Sequence, residues 1–112
     1  MKVVVAIIKP FKLSNVHDAL HDIGVTGLTV VEAKGHGHQQ GHSEIYRSVK
    51  YVAHYLNKLR LEIIVPDDRV EAVVQTITDT ARTGQAGDGK IYVHTLDQVW
   101  RIRTGETNEN AL

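Results

Sequence analysis

The chain has 112 residues, enough for one domain with one modest core. Lysine plus arginine balances aspartate plus glutamate at 13 each, so no global field draws the protein to nucleic acid or an anionic membrane. Cysteine is absent, which excludes a disulfide frame, a thiol nucleophile and a thiolate metal centre, and fits a cytoplasmic location. The apolar N-terminal run stops at Lys9-Pro10, too short to cross a membrane and without a small-residue cleavage site.

Val3 to Ile8 is a continuous β-branched run, as expected of a strand buried on both faces. Ser14 is placed to cap the next segment, where Val16, Ala19, Leu20 and Ile23 recur at helical spacing before Gly24. Leu28 to Lys34 reads as a strand. From Lys58 to Val65 the alternation puts Leu59, Leu61, Ile63 and Val65 on one face, with Lys58, Arg60, Glu62 and Ile64 on the other. Pro66 stops that strand, and Asp67 or Asp68 is placed to cap a second helix. Val70, Val73, Val74, Ile77 and Ala81 form its buried stripe before Gly84. Ile91 to Leu96 is a fourth strand, Val99 to Thr104 a further extended piece, and the tail to Leu112 is expected to fray.

The order strand, helix, strand, strand, helix, strand repeats one plan twice. Lys9-Pro10 and Pro66-Asp67 each lead from a strand into an amphipathic helix. The simplest result is an α+β domain of ferredoxin-like βαββαβ type, a four-stranded antiparallel sheet with both helices on one face. The other face, charged and partly apolar, is then free for other copies.

Two segments depart from a minimal fold. About twenty residues, Gly35 to Leu56, join the second and third strands where a hairpin needs only two to five. They carry Tyr46, Tyr51 and Tyr55, which suit partner contact; an insertion without function is the alternative. The other is Thr83-Gly84-Gln85-Ala86-Gly87-Asp88-Gly89-Lys90, whose glycines let amides converge on an anion beside a lysine. It lacks Walker A spacing and equally suits a plain helix-to-strand connection. Arg101 and Arg103, two apart in an extended piece, would point the same way and suit phosphate, or else form a solvated face.

Several segments together carry a family resemblance. Ala6-Ile7-Ile8-Lys9-Pro10-Phe11-Lys12-Leu13, Gly41-His42-Ser43-Glu44-Ile45-Tyr46-Arg47, Val65-Pro66-Asp67-Asp68, Gly87-Asp88-Gly89-Lys90-Ile91 and Arg101-Ile102-Arg103-Thr104-Gly105-Glu106 resemble the P-II nitrogen-regulatory signal proteins, in order along nearly the whole chain. The resemblance implies a non-catalytic homotrimer with ATP or ADP between neighbouring subunits. It makes residues 36–55 a mobile effector loop, 83–90 the phosphate-binding loop and 101–112 a C-terminal loop and tail, all within one domain, 1–112. It places Gly37, His38, Gly87, Asp88, Gly89 and Lys90 around the phosphates, with Arg101 and Arg103 reaching in from the adjacent subunit. Thr29, Glu62 and Ile64 would hold adenine and ribose. Gln39 would ligate Mg²⁺ bridging ATP and 2-oxoglutarate, and Gly41, Lys58 and Gly87 would complete the keto-acid site. Tyr51 corresponds to the residue uridylylated in some bacteria. Implied partners are an ammonium transporter and glutamine-synthetase-modifying enzymes, with neither nucleic acid nor membrane insertion.

The chain departs from the family pattern at Gly35-His36-Gly37-His38-Gln39-Gln40, where an aromatic residue, arginine and lysine are usual at 36, 38 and 40. His38 in place of arginine exchanges a fixed charge for an imidazole. The resulting cluster His36, His38, His42 and His54 raises a second reading, a metal-responsive P-II-like module. His17-Asp18-Ala19-Leu20-His21 mimics a zinc-protease helix, but both histidines lie off the apolar stripe and no third ligand is identified.

Overall fold

The computed structural model describes residues 1–36 and 55–112. The elements are β1 (Lys2–Ile8), α1 (Leu13–Asp22), β2 (Thr29–Gly35), β3 (Leu56–Val65), α2 (Val70–Ala81) and β4 (Lys90–Thr95). The strands form one sheet in the order β2-β3-β1-β4, every neighbour antiparallel, so β2 and β4 are its edges. This is the ferredoxin-like arrangement expected from the element order.

The alternation of β1 and β3 builds the core. Val4, Ala6 and Ile8 of β1 and Leu61, Ile63 and Val65 of β3 pack against Val16 and Leu20 of α1 and Val73, Ile77 and Ala81 of α2. Each fully buried aliphatic side chain contributes about 1.5–3 kcal/mol through its removal from water. That burial holds α2 helical although Thr76, Thr78 and Thr80 are poor helix formers, each donating its hydroxyl back to the carbonyl four residues earlier. On the opposite sheet face the register brings Val3, Val5 and Ile7 together with Arg60, Glu62, Ile64 and Tyr92. Val31, Ile64 and Tyr92 are exposed there. So β1 is buried fully on the helix side and only partly on the other, where Val5 is covered but Val3 and Ile7 are half-buried.

Both helices start differently from the expectation. Neither Ser14 nor Asp67 nor Asp68 caps a helix. Each strand instead leaves through a proline into a single 3-10 turn, Pro10–Lys12 or Asp67–Arg69, which runs directly into α1 or α2. Proline presets the φ such a turn needs and removes one amide that would have lacked a partner. Asp67 turns away to the N-terminal ammonium at 2.7 Å and Lys2 at 3.3 Å. The end of α1 is as expected: Gly24 at φ +91° lets its own amide reach His21 and that of Val25 reach Leu20. This double closure satisfies two final carbonyls, and Arg69 donates to a third, that of Ile23.

The C-terminal segment is tied down. Trp100 bridges to Thr107, residues 102–104 form the turn between them, and Asn108 accepts the Val99 amide through its side chain at 3.2 Å. A 3-10 turn, Asn108–Ala111, follows. The expected extended piece and frayed tail are therefore corrected to a small closed hairpin.

Candidate functional site

The glycine-rich segment 83–90 is a built loop. The Asp88 carboxylate folds back into it and accepts from the Thr83 amide at 2.8 Å, the Gly84 amide at 2.9 Å and the Thr83 hydroxyl. Lys9, just beyond β1, reaches both Asp88 and the Thr83 hydroxyl at 3.2 Å. These donors, the Thr83 hydroxyl first, hold the Asp88 carboxyl well below the usual carboxylate range. Its acceptor capacity is thus spent on shaping the loop. Gly87 and Gly89 take φ of +90° and +102°, a left-handed conformation open to glycine. Gly89 is required for a second reason: a Cβ there would lie 1.7 Å from the Ile7 carbonyl oxygen.

Lys58 joins this loop to the sheet. It is 7 % exposed, its stem lies across Gly35, and its ammonium donates to the Gly87 carbonyl at 2.5 Å. Burial first, then the neighbouring Lys9 ammonium, push its pKa below the usual lysine value, while Asp88 pulls the other way. Two ammonium groups and one carboxylate leave a net positive, partly dehydrated corner at the end of β1, β3 and the loop. A bound anion would relieve that excess. At the stem of the β2–β3 connection, the His36 and Tyr55 rings pack against each other at a tilt of 52°, with centroids 5.6 Å apart.

A second cluster lies elsewhere. Thr29 of β2 pairs with Glu62 of β3 in register, and Ile64 follows on the same face. With Gly27, Arg101 and Leu112 they line a hollow of about 570 Å³, within the range of small-molecule sites. Glu62 is held by Arg60 at 2.8 Å. Arg101 is oriented by Glu106 at 3.1 Å and by the Leu112 carbonyl at 2.9 Å. Arg103 lies in the 102–104 turn and does not share a strand face with Arg101, contrary to the spacing argument. A smaller hollow of about 240 Å³ under residues 88–91 is largely apolar, walled by Ile7, Ile8, Ile77, Ala81 and Ile91.

The structure therefore brings the expected residues together in two groups. Lys58, Gly87, Asp88, Gly89 and Lys90 gather near the start of the β4 edge; Thr29, Glu62, Ile64 and Arg101 gather at the β2 edge and the far end of β3. With β3 and β1 between them, the two edges are about 14 Å apart at ordinary strand spacing. Gly37, His38, Gln39, Gly41, His42, Tyr51 and His54 lie outside the described residues. Sequence reasoning missed the Lys9 contact and the inward turn of Asp88. A lysine directly after a buried strand, facing a loop acid, was the available signal for the first.

Comparison with known proteins gives the family. The family model described as "Nitrogen regulatory protein P-II" matches residues 1–106. Curated relatives cover the full length of both chains: "Nitrogen regulatory protein P-II" of Rhizobium etli at 54 % identity, "Nitrogen regulatory protein P-II 1" of Escherichia coli K12 at 53 %, and the Pasteurella multocida protein at 50 %.

Proposed function

The chain belongs to the family of P-II nitrogen regulatory proteins, and from that premise we propose that it is a non-catalytic, cytoplasmic signal transducer in which ATP or ADP binds between copies of the chain. One observation carries the reading: the loop before edge strand β4, held by Lys58 of β3, and the hollow beside edge strand β2 lie on opposite sides of one sheet, which supports two half-sites completed by different copies. The Gly87–Lys90 loop of one copy takes the phosphates. The Thr29, Glu62 and Ile64 hollow of the next takes adenine and ribose, with Arg101 and Arg103 of that copy closing on the phosphates. A repeated heterologous contact of this kind forms a ring when its rotation closes, and the ring proposed here is a homotrimer. The exposed Val31, Ile64 and Tyr92 on the open face support association.

In this reading Lys58 receives the distal carboxylate of 2-oxoglutarate, with Gly41 and Gly87 alongside. Gln39 ligates the Mg²⁺ shared with ATP. The lowered pKa of Lys58 supports that role, since a carboxylate restores the charge that burial disfavours. The keto-acid and Gln39 then bias the pose of residues 36–55, and a ligand shifts that equilibrium only by its differential affinity for the poses. Uridylylation at Tyr51 would block docking by bulk and charge. The partners proposed are an ammonium transporter and the enzymes that modify glutamine synthetase.

Calorimetry of the full chain with ATP, ADP, and ATP plus Mg²⁺ and 2-oxoglutarate tests the reading, with sedimentation to count copies. The expected result is a trimer that binds nucleotide alone and the keto-acid only with ATP and Mg²⁺. Keto-acid binding without nucleotide, or a monomer indifferent to nucleotide, overturns it.

A further inference from the structure

Helix α1 has an outer face that the nucleotide reading does not use. Val16 and Leu20 are its buried residues, and His17, Asp18, His21 and Asp22 are all exposed beside that stripe. His17 and His21 are four residues apart, neighbours on a helix surface with Cβ atoms about 6 Å apart. The helix carries two aspartates and neither lysine nor arginine, so its outer face is negative when the imidazoles are neutral. The His17 Nδ1 lies 3.3 Å from the Asp18 carboxylate. With the ring proton on Nδ1, that contact leaves Nε2 with its lone pair directed outward, the carboxylate–histidine pattern that supports metal ligands.

From this arrangement we propose that the outer face of α1 binds a late first-row divalent cation, Zn²⁺, Ni²⁺ or Cu²⁺, through the imidazoles of His17 and His21. Paired imidazoles at this spacing on one helix face reach a single ion, and nitrogen donors favour these metals over Mg²⁺ or Ca²⁺. Among the described residues no group of three histidine or carboxylate side chains forms a ready-made centre. The two imidazoles are therefore the protein ligands, Asp18 positions His17, and water completes the coordination. An open coordination sphere of this kind suits reversible sensing or bridging to a donor on another molecule, not a permanent structural ion. Its ligands are other residues than the histidines at 36, 38, 42 and 54, and its binding does not depend on nucleotide.

The test uses the full chain without nucleotide, titrated with ZnCl₂ and NiCl₂ by calorimetry and followed by NMR of the histidine ring nitrogens and backbone amides. The expected result is one cation per chain that moves the His17 and His21 ring signals and the amides of α1. His17→Ala and His21→Ala each weaken that event by about tenfold or more, Asp18→Asn by a smaller factor, and His94→Ala not at all. All three α1 positions are solvent-facing, and circular dichroism verifies that the variants keep their fold. Ring signals of His17 and His21 that stay fixed at saturating metal overturn the proposal. So does an α1 event of unchanged affinity in the double variant, or cation effects confined to the other five histidines.

Discussion

Gly89→Ala is the substitution that most directly tests how the 83–90 loop is joined to the sheet. Its new methyl carbon would stand 1.7 Å from the Ile7 carbonyl oxygen and 2.7 Å from the carbonyl carbon, both atoms of a central strand. No rotamer change relieves a clash with backbone, so the start of β4 must move away from β1 by more than an ångström. That movement breaks the terminal rung, Ile7 with Lys90. An L-residue at φ +102° adds about 1–2 kcal/mol. Losing the rung's hydrogen bonding costs about 1 kcal/mol per bond. The sum is about 2–4 kcal/mol for one or two lost bonds, reaching the upper end for one substitution. Gly84→Ala is the internal control, since Gly84 also has positive φ, +85°, but meets nothing within 4 Å. It should cost only the conformational part, about 1–2 kcal/mol. Urea unfolding of both variants at one protein concentration, without nucleotide, gives the difference from the midpoints and slopes. A Gly89→Ala protein as stable as Gly84→Ala would refute the close approach of loop to strand.

Three further outcomes follow from the site. Asp88 has a depressed folded pKa, so its stabilising effect is complete above the unfolded carboxylate value of about 3.9 and fades as pH falls through and below it; Asp88→Asn should flatten acid unfolding in that window, and an unchanged acid profile would contradict its pinning role. Lys58→Met removes a desolvated ammonium whose lowered pKa disfavours the folded state as pH drops from alkaline to neutral. Keto-acid binding should then fall at least about tenfold while nucleotide binding alone shifts little, as read by calorimetry. Arg101→Ala should weaken nucleotide binding by about tenfold or more, the loss of one charged hydrogen-bonding group. Glu106→Gln, which loosens Arg101 and the Thr104 hydroxyl contact but keeps the arginine, should weaken it less; the reverse order would show that the arginine serves the tail alone.

The sheet was legible because β-branched alternation leaves few ways to bury Val4, Ala6, Ile8, Leu61 and Ile63 together. Gly24 marked the end of α1 for an equally local reason, its positive φ. The helix starts were not legible from capping residues, because the two prolines open 3-10 turns that displace Ser14 and Asp67 from the cap positions. For the 83–90 segment, a glycine-rich turn was legible and its wiring was not. Asp88 looks like one more polar group of a phosphate loop, yet long-range contact with Lys9 and local contact with Thr83 turn it inward. Arg101 and Arg103 have strand-like spacing, but the bridge from Trp100 to Thr107 forces a turn between them. Both misses depend on contacts that no periodicity encodes.

The proposed division of one pocket between the two opposite rims of a sheet has a consequence for cells that hold a second paralogue. In the proposed ring, each pocket would take its loop from one gene product and its adenine wall from another whenever the chains co-assemble. Mixed rings would then contain clefts that neither pure ring possesses, and ligand response would depend on expression ratio as well as metabolite level.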